Sequence, residues 1–105
     1  MYQIEFLWDE NNKKHLFNEH LERKLTEVEI ESFFEDKYKI EYFDSIGKHG
    51  NDEYICLGKS NLNRLLFIAF EIRNDKIRPF SCRPATKLRL KQIYENNKKN
   101  IKDFE

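Results

Sequence analysis

Four cations stand at the ends of strand-like segments, where their side chains can meet a phosphate. Lys59 and Arg64 flank the turn Ser60-Asn61-Leu62-Asn63, and Arg78 and Arg83 bracket the segment that follows the next turn. Arginine suits phosphate because its planar fork donates to two oxygens at once and never deprotonates. If these segments pair as a meander, the four cations come from adjacent strands and form one patch. The competing reading is edge protection, in which strand-end cations discourage edge-to-edge aggregation. Alternation along 77–83 puts Ser81 on the face of Arg83, and Arg78 with Phe80 and Cys82 on the other, unless Pro79 forces a bulge. Arg64 and Arg83 adjoin the turn residues Asn63 and Pro84. Both are therefore expected to be partly solvated, and truncating either should cost no more than about 1 kcal/mol of stability.

Proton transfer needs a group that titrates near neutrality, and His20 is the candidate. It falls on an apolar helical stripe with Leu16, Phe17 and Leu21, so a packing role is equally open. His15 and His49 read as surface residues. Tyr94 can stack on a base or donate a proton, but a tyrosine on a helix's apolar face also simply packs. Trp8 reads as core, Asp9 as a helix cap and Glu10 as solvated. Cys56 and Cys82 lie in strand-like segments and read as buried thiols. No CxxC, paired Cys/His spacing, phosphate-cradling glycine loop or nucleophile elbow is present, so neither a metal nor a cofactor is expected.

The elements that must position these groups follow from periodicity. Tyr2 to Trp8 begins as a short strand, Asp9 opens a first helix, and Thr26-Glu27-Val28-Glu29 is a capping box for a second. Ile30, Phe33 and Phe34 give that second helix its buried face. Alternation then predicts strands over 39–43 and 53–59. The apolar stretch 64–72 reads as a central strand covered on both faces, and 77–83 as an edge or bulged strand. A last helix is expected over about 86–97, burying Leu90, Ile93 and Tyr94, with a frayed tail at 98–105. The class is α+β, in one domain: a strand and two helices, then a three- to four-stranded antiparallel meander and a C-terminal helix.

Composition narrows the partners. The chain carries 19 Lys/Arg against 19 Asp/Glu, but residues 1–58 hold 7 against 14 and residues 59–105 hold 12 against 5. A neutral chain with a basic second half can offer a face to a polyanion, although two mutually attractive halves explain the split as well. No apolar run approaches the roughly 20 residues of a membrane span, and no signal peptide is legible, so a soluble, cytoplasmic protein is expected.

Three segments in register resemble the BrnT toxins of the RelE-like ribonuclease group. They are Trp8-Asp9-Glu10-Asn11 followed by His20; Leu57-Gly58-Lys59-Ser60 followed by Arg64-Leu65-Leu66; and Ile77-Arg78-Pro79-Phe80-Ser81-Cys82-Arg83-Pro84-Ala85-Thr86, with Tyr94 beyond. The resemblance spans about residues 6–94 within a domain taken as 1–97. It implies a RelE-like fold and a type II toxin that cleaves mRNA without a metal, by attack of the ribose 2′-hydroxyl on the adjacent phosphate. The partner implied is a ribbon-helix-helix antitoxin. It assigns catalysis to His20, Arg64 and Arg83, and substrate binding to Lys59, Arg78, Ser81 and Tyr94. The sequence departs from the family pattern at Glu19, Glu53 and Arg89. Those departures favour a second reading, an inactive interaction module that keeps the toxin fold and the antitoxin-binding surface.

Overall fold

The computed structural model describes residues 4–105. Its centre is a four-stranded antiparallel sheet in the order β1-β2-β3-β4: β1 Ile40–Ile46, β2 Asp52–Lys59, β3 Leu65–Arg73 and β4 Lys76–Pro84. Each strand pairs with the next in sequence, so tight turns suffice to join them. The turn residues match that demand. Asn63, Asn74 and Asp75 take the left-handed backbone conformation that Asn and Asp tolerate best, and Gly50 has φ +83°. The meander is the one expected, with β1 running on to Ile46 and a bulge after Phe43.

Helices cover one face of this sheet. The even-numbered side chains Cys56, Leu66, Ile68, Phe70 and Cys82 meet Leu16, Leu25, Ile30, Phe33 and Phe34 in the main core. Aromatic rings knit it together: Phe34 lies edge-on to Phe33 at 5.0 Å and to Phe70 at 5.2 Å. Burial pushes both thiols up to about 12, as fits core residues that are not redox groups.

The helices themselves depart from simple periodicity. Helix α1, Glu10–Lys13, starts on a reciprocal cap: Asp9 Oδ1 accepts the Asn12 N–H at 3.0 Å, and the Asp9 N–H donates to Asn12 Oδ1 at 2.8 Å. It passes at once into a π-helical turn, Lys14–Asn18, closed by the Glu19 N–H to Lys14 O bond of 3.0 Å. The wider turn and its early end remove the stripe expected through His20 and Leu21. Leu16 is buried, but Leu21 is 73% exposed in a short 3₁₀ turn, Leu21–Arg23. Helix α2, Glu27–Phe33, is capped by Thr26, whose hydroxyl oxygen accepts the Glu29 N–H at 3.1 Å. Only that half of the expected capping box forms, because the Glu29 carboxylate is committed elsewhere.

Two further expectations change. Of the first strand, Tyr2 and Gln3 lie outside the described residues. The rest makes one parallel bridge, Phe6 to Ile77, in which the Leu7 N–H reaches Ile77 O at 2.8 Å. Helix α3 is Leu88–Asp103, so it starts later and ends later than periodicity implies, and the stretch expected to fray is helical. Tyr38 is the reason. Asn97 Nδ2 donates to its carbonyl at 3.0 Å, and Lys98 and Lys102 stand 5.4 and 5.8 Å from its ring centroid.

Helix α3 lies on the second face of the sheet, where Tyr94, with Leu90, packs against Leu57, Leu65, Phe67 and Ile40. It does not close that face, for Ser81 stays half-buried and Arg83 exposed. On the helical side, Gly58 lets α2 approach: an added Cβ would sit 3.0 Å from Phe33 Cε2 and 3.0 Å from Lys39 Cβ. Overpacking of this kind costs about 1–3 kcal/mol. Gly58→Ala should therefore lower the free energy of unfolding in urea by about 1–3 kcal/mol, seen as a lower midpoint at unchanged slope.

Candidate functional site

Two carboxylates, Glu29 and Asp36, hold Arg64, Lys59 and Tyr94. Glu29, 1% exposed, accepts from Ser60 Oγ at 2.7 Å and from Arg64 Nε at 2.8 Å, and Arg64 Nη2 closes onto its other oxygen. Arg64 Nη1 donates to the Arg23 carbonyl at 2.9 Å. The guanidinium thus ties α2, the 3₁₀ turn and the β2–β3 connection to one buried charge. Its hydrogen bonds hold the Glu29 carboxyl below the ordinary glutamate value, against the opposing effect of burial. Arg64 is partly solvated, as its place at a strand end implies, with 31% of its side chain exposed, but it is not a free cation. It is an ion-pair partner, because the turn delivers it over a carboxylate that the sequence pattern assigned to a cap.

Asp36 is the second carboxylate. Its Oδ2 accepts the Lys59 N–H at 2.9 Å and the Tyr94 hydroxyl at 2.7 Å, and its Oδ1 accepts the Tyr38 N–H at 2.9 Å. Burial foremost, then this bond to Asp36, keeps the Tyr94 phenol well above its usual titration range. Tyr94, 2% exposed, is consequently a packed strut beneath Lys59. The Lys59 ammonium stands 5.6 Å from the Tyr94 ring centroid and 3.6 Å from Glu95 Oε1.

Above this floor opens a cavity of about 470 Å³ lined by Lys59, Arg64, Leu65, Thr86, Lys91 and Glu95, among others. Lys91 and Glu95 went unnoticed in the sequence. Their spacing, four apart on one helix, was the available signal, and it reads by default as a solvated surface pair. Arg83 lies on the same sheet face, opposite Phe67 in the register, with its guanidinium carbon 5.2 Å from the Phe67 ring centroid. It is exposed and makes no ion pair among the described residues. Ser81 faces the same way, opposite Ala69, as the alternation implied.

The remaining candidates stand apart. A bulge between Ala69 and Phe70 absorbs Phe80, so Arg78 lies opposite Glu71 on the face of Arg83, not with Cys82. It is not free: Arg78 Nε and Nη2 clasp Asp9 at 2.8 and 3.1 Å. That clasp, aided by the Asn12 amide, lowers the Asp9 carboxyl from 3.8 to about 2. His20 belongs to the helical layer, edge-on to His15 at 5.6 Å and with Nδ1 3.5 Å from Glu22. One cavity is thus lined by Lys59 and Arg64 over Tyr94, Arg83 lies on the same sheet face outside that lining, and His20 and Arg78 stand in other surroundings.

A family model described as the ribonuclease toxin BrnT of type II toxin–antitoxin systems matches residues 8–88. Comparison with curated proteins finds no match.

Two outcomes follow from this geometry. Removing one partner of a buried ion pair costs about 3–5 kcal/mol. Arg64→Ala should therefore destabilise by roughly 3 kcal/mol in denaturant unfolding, whereas Arg83→Ala should stay within about 1 kcal/mol. The Asp9 carboxyl titrates lower in the folded state than its ordinary 3.8, so the Asp9–Arg78 clasp stabilises fully above that pH and is lost as pH falls through about 2. Thermal melts between pH 5 and 2 should accordingly fall less steeply in Asp9→Asn than in the parent.

Proposed function

The chain belongs to the BrnT family of ribonuclease toxins of type II toxin–antitoxin systems, and from that premise we propose a metal-independent endoribonuclease that cleaves mRNA on the open sheet face. The observation that carries this reading is Arg83. It is an exposed guanidinium over an aromatic ring, without an ion-pair partner among the described residues, on the sheet face that also carries a cavity rimmed by Lys59, Lys91 and Glu95. An RNA base stacks on aromatic surface while the phosphate meets the cations, a combination suited to single strands.

The ribose 2′-oxygen bonds to the adjacent phosphorus as its proton passes to the Glu95 carboxylate. Arg83 and Lys59 carry the added charge of the phosphorane. The bond to the departing 5′-oxygen then breaks, and an ammonium, Lys59 or Lys91, supplies its proton. Arg64 acts beneath the substrate, keeping the β2–β3 turn in place through Glu29. His20, engaged with Glu22 and His15, takes no part. The partner that silences the toxin is a ribbon-helix-helix antitoxin whose acidic segment covers the basic face, and both work in the cytoplasm.

A second reading is a non-enzymatic module that keeps the fold and the antitoxin surface. Arg64, Arg78 and Tyr94, each with a structural partner, favour it.

Cleavage of unstructured RNA by purified protein in EDTA decides between them. Loss of a cation at the developing charge costs on the order of 3 kcal/mol, a hundredfold or more in rate. Arg83→Ala is expected to lose at least that factor with an unchanged melting temperature, and His20→Gln to cleave as the parent does. An Arg83→Ala protein as fast as the parent overturns the site. Intact RNA with the folded parent overturns the activity and leaves the interaction module.

A further inference from the structure

Helix α3 places four charged side chains on one stripe. Lys91, Glu95, Lys98 and Lys102 fall at i, i+4, i+7 and i+11, which returns each to the same side of an α-helix. The first two line the cavity of about 470 Å³ that Lys59 also lines. The last two stand over Tyr38, with their ammoniums 5.4 and 5.8 Å from its ring centroid. From Lys91 to Lys102 the stripe runs about 16 Å along the helix axis. It leads from the cleavage cavity to the far end of α3, on residues beyond the matched family segment 8–88.

Three ammoniums converge at that end. Lys37 stands 5.1 Å from the same Tyr38 centroid, so the three are close neighbours of like charge. An exposed ring offsets a cation only weakly. One carboxylate answers the group: Glu105 Oε1, 3.0 Å from Lys37 Nζ, which shows where an anionic oxygen rests on this cluster. Lys91, Lys98 and Lys102 make no ion pair among the described residues. The cavity of about 390 Å³ at the opposite end of the strands differs in this respect. Its arginines are engaged, Arg73 by Glu71 at 2.6 Å and Arg78 by Asp9 at 2.8 Å.

We propose that this stripe is a phosphate track, along which the backbone of single-stranded RNA continues out of the cleavage cavity to the lysines around Tyr38. An ammonium is a compact point charge that attracts phosphate without reading the base. A stacked strand advances about 3.4 Å per nucleotide and an unstacked one further, so the stripe spans a few phosphates. An acidic protein segment would meet the same charges. Continuity favours RNA, because the stripe begins at the cavity where the strand being cut lies. The inference deepens the nuclease reading above and rests on it for that starting point. It adds that the protein grips RNA on one side of the cut by charge alone, so that strand length and not base identity sets affinity there.

Binding of uncleavable RNA tests the track apart from the chemistry. Oligouridylates of three and ten nucleotides, 2′-O-methylated so that no attacking hydroxyl remains, are titrated into the full chain at rising salt. The ten-mer should bind at least roughly tenfold tighter than the three-mer at low salt. Lys98→Met combined with Lys102→Met keeps the apolar stems over Tyr38 and removes both charges. That variant should weaken the ten-mer at least about fivefold, flatten its log–log salt slope by about 1.4 and leave the three-mer within about twofold. Lys98→Arg with Lys102→Arg should hold the parent slope. If the methionine variant loses helix content by circular dichroism, Lys98→Gln alone should flatten the slope by about 0.7. An unchanged slope in the neutral variants overturns the proposal, as does equal weakening of both oligonucleotides. So does a ten-mer bound as in the parent while affinity for polyglutamate falls, which assigns the stripe to a protein partner. A parent that shows this length and salt dependence yet leaves unmethylated RNA intact refutes the nuclease reading and upholds the track.

Discussion

One buried carboxylate organises this small domain. Glu29 sits in the first turn of α2 with its charge inside the protein, and stranded there it would cost several kcal/mol. Ser60 and Arg64 meet it from the β2–β3 turn, and the rest of the Arg64 fork satisfies carbonyls of the preceding 3₁₀ turn. Since charge and hydrogen bonds are all satisfied together, the helical layer can settle on the sheet in one register only. Asp36 repeats the device at the other end of α2, where it fixes Lys59 through its amide and Tyr94 through its hydroxyl.

These two anchors explain why one face of the sheet is closed and the other open. The first layer packs the even-numbered residues of β2 and β3 against aromatic helix residues. Helix α3, held by Tyr94 and by cations over Tyr38, covers the second face at one side only. What is left carries Arg83 and Ser81, with a cavity at each end. An open sheet face with half-buried apolar residues and fixed cations suits a flexible, stacked polyanion better than a globular protein surface. Among the described residues no helix is long and apolar enough to cross a membrane.

The charge split of the sequence takes on meaning in this arrangement. The acidic first half contributes Glu29, Asp36 and Asp9, which are occupied with Arg64, Tyr94 and Arg78. Three of its fourteen carboxylates are thereby occupied inside the fold. The second half keeps Arg83 without an ion-pair partner among the described residues, and Lys91 at a cavity rim. A chain of zero net charge can thus present a cationic face without bulk basicity.

The sequence by itself determined the class of fold, the meander, the second helix with its Thr26 cap, and the burial of both thiols. Each follows from local alternation, from turn residues that accept a left-handed backbone, or from apolar periodicity. It also placed Ser81 and Arg83 on one face. Tertiary structure alone decided which cations are free. Arg64, Arg78 and Arg83 look alike in the sequence, each at a strand end beside a turn. Their difference lies in whether Glu29, Asp9 or only the Phe67 ring comes within reach, and those partners are distant in the chain. The bulge at Phe80, the π-helical turn that displaces Leu21, and the helical tail on Tyr38 were hidden for the same reason. Each arises where long-range packing outweighs a local preference of about 1 kcal/mol.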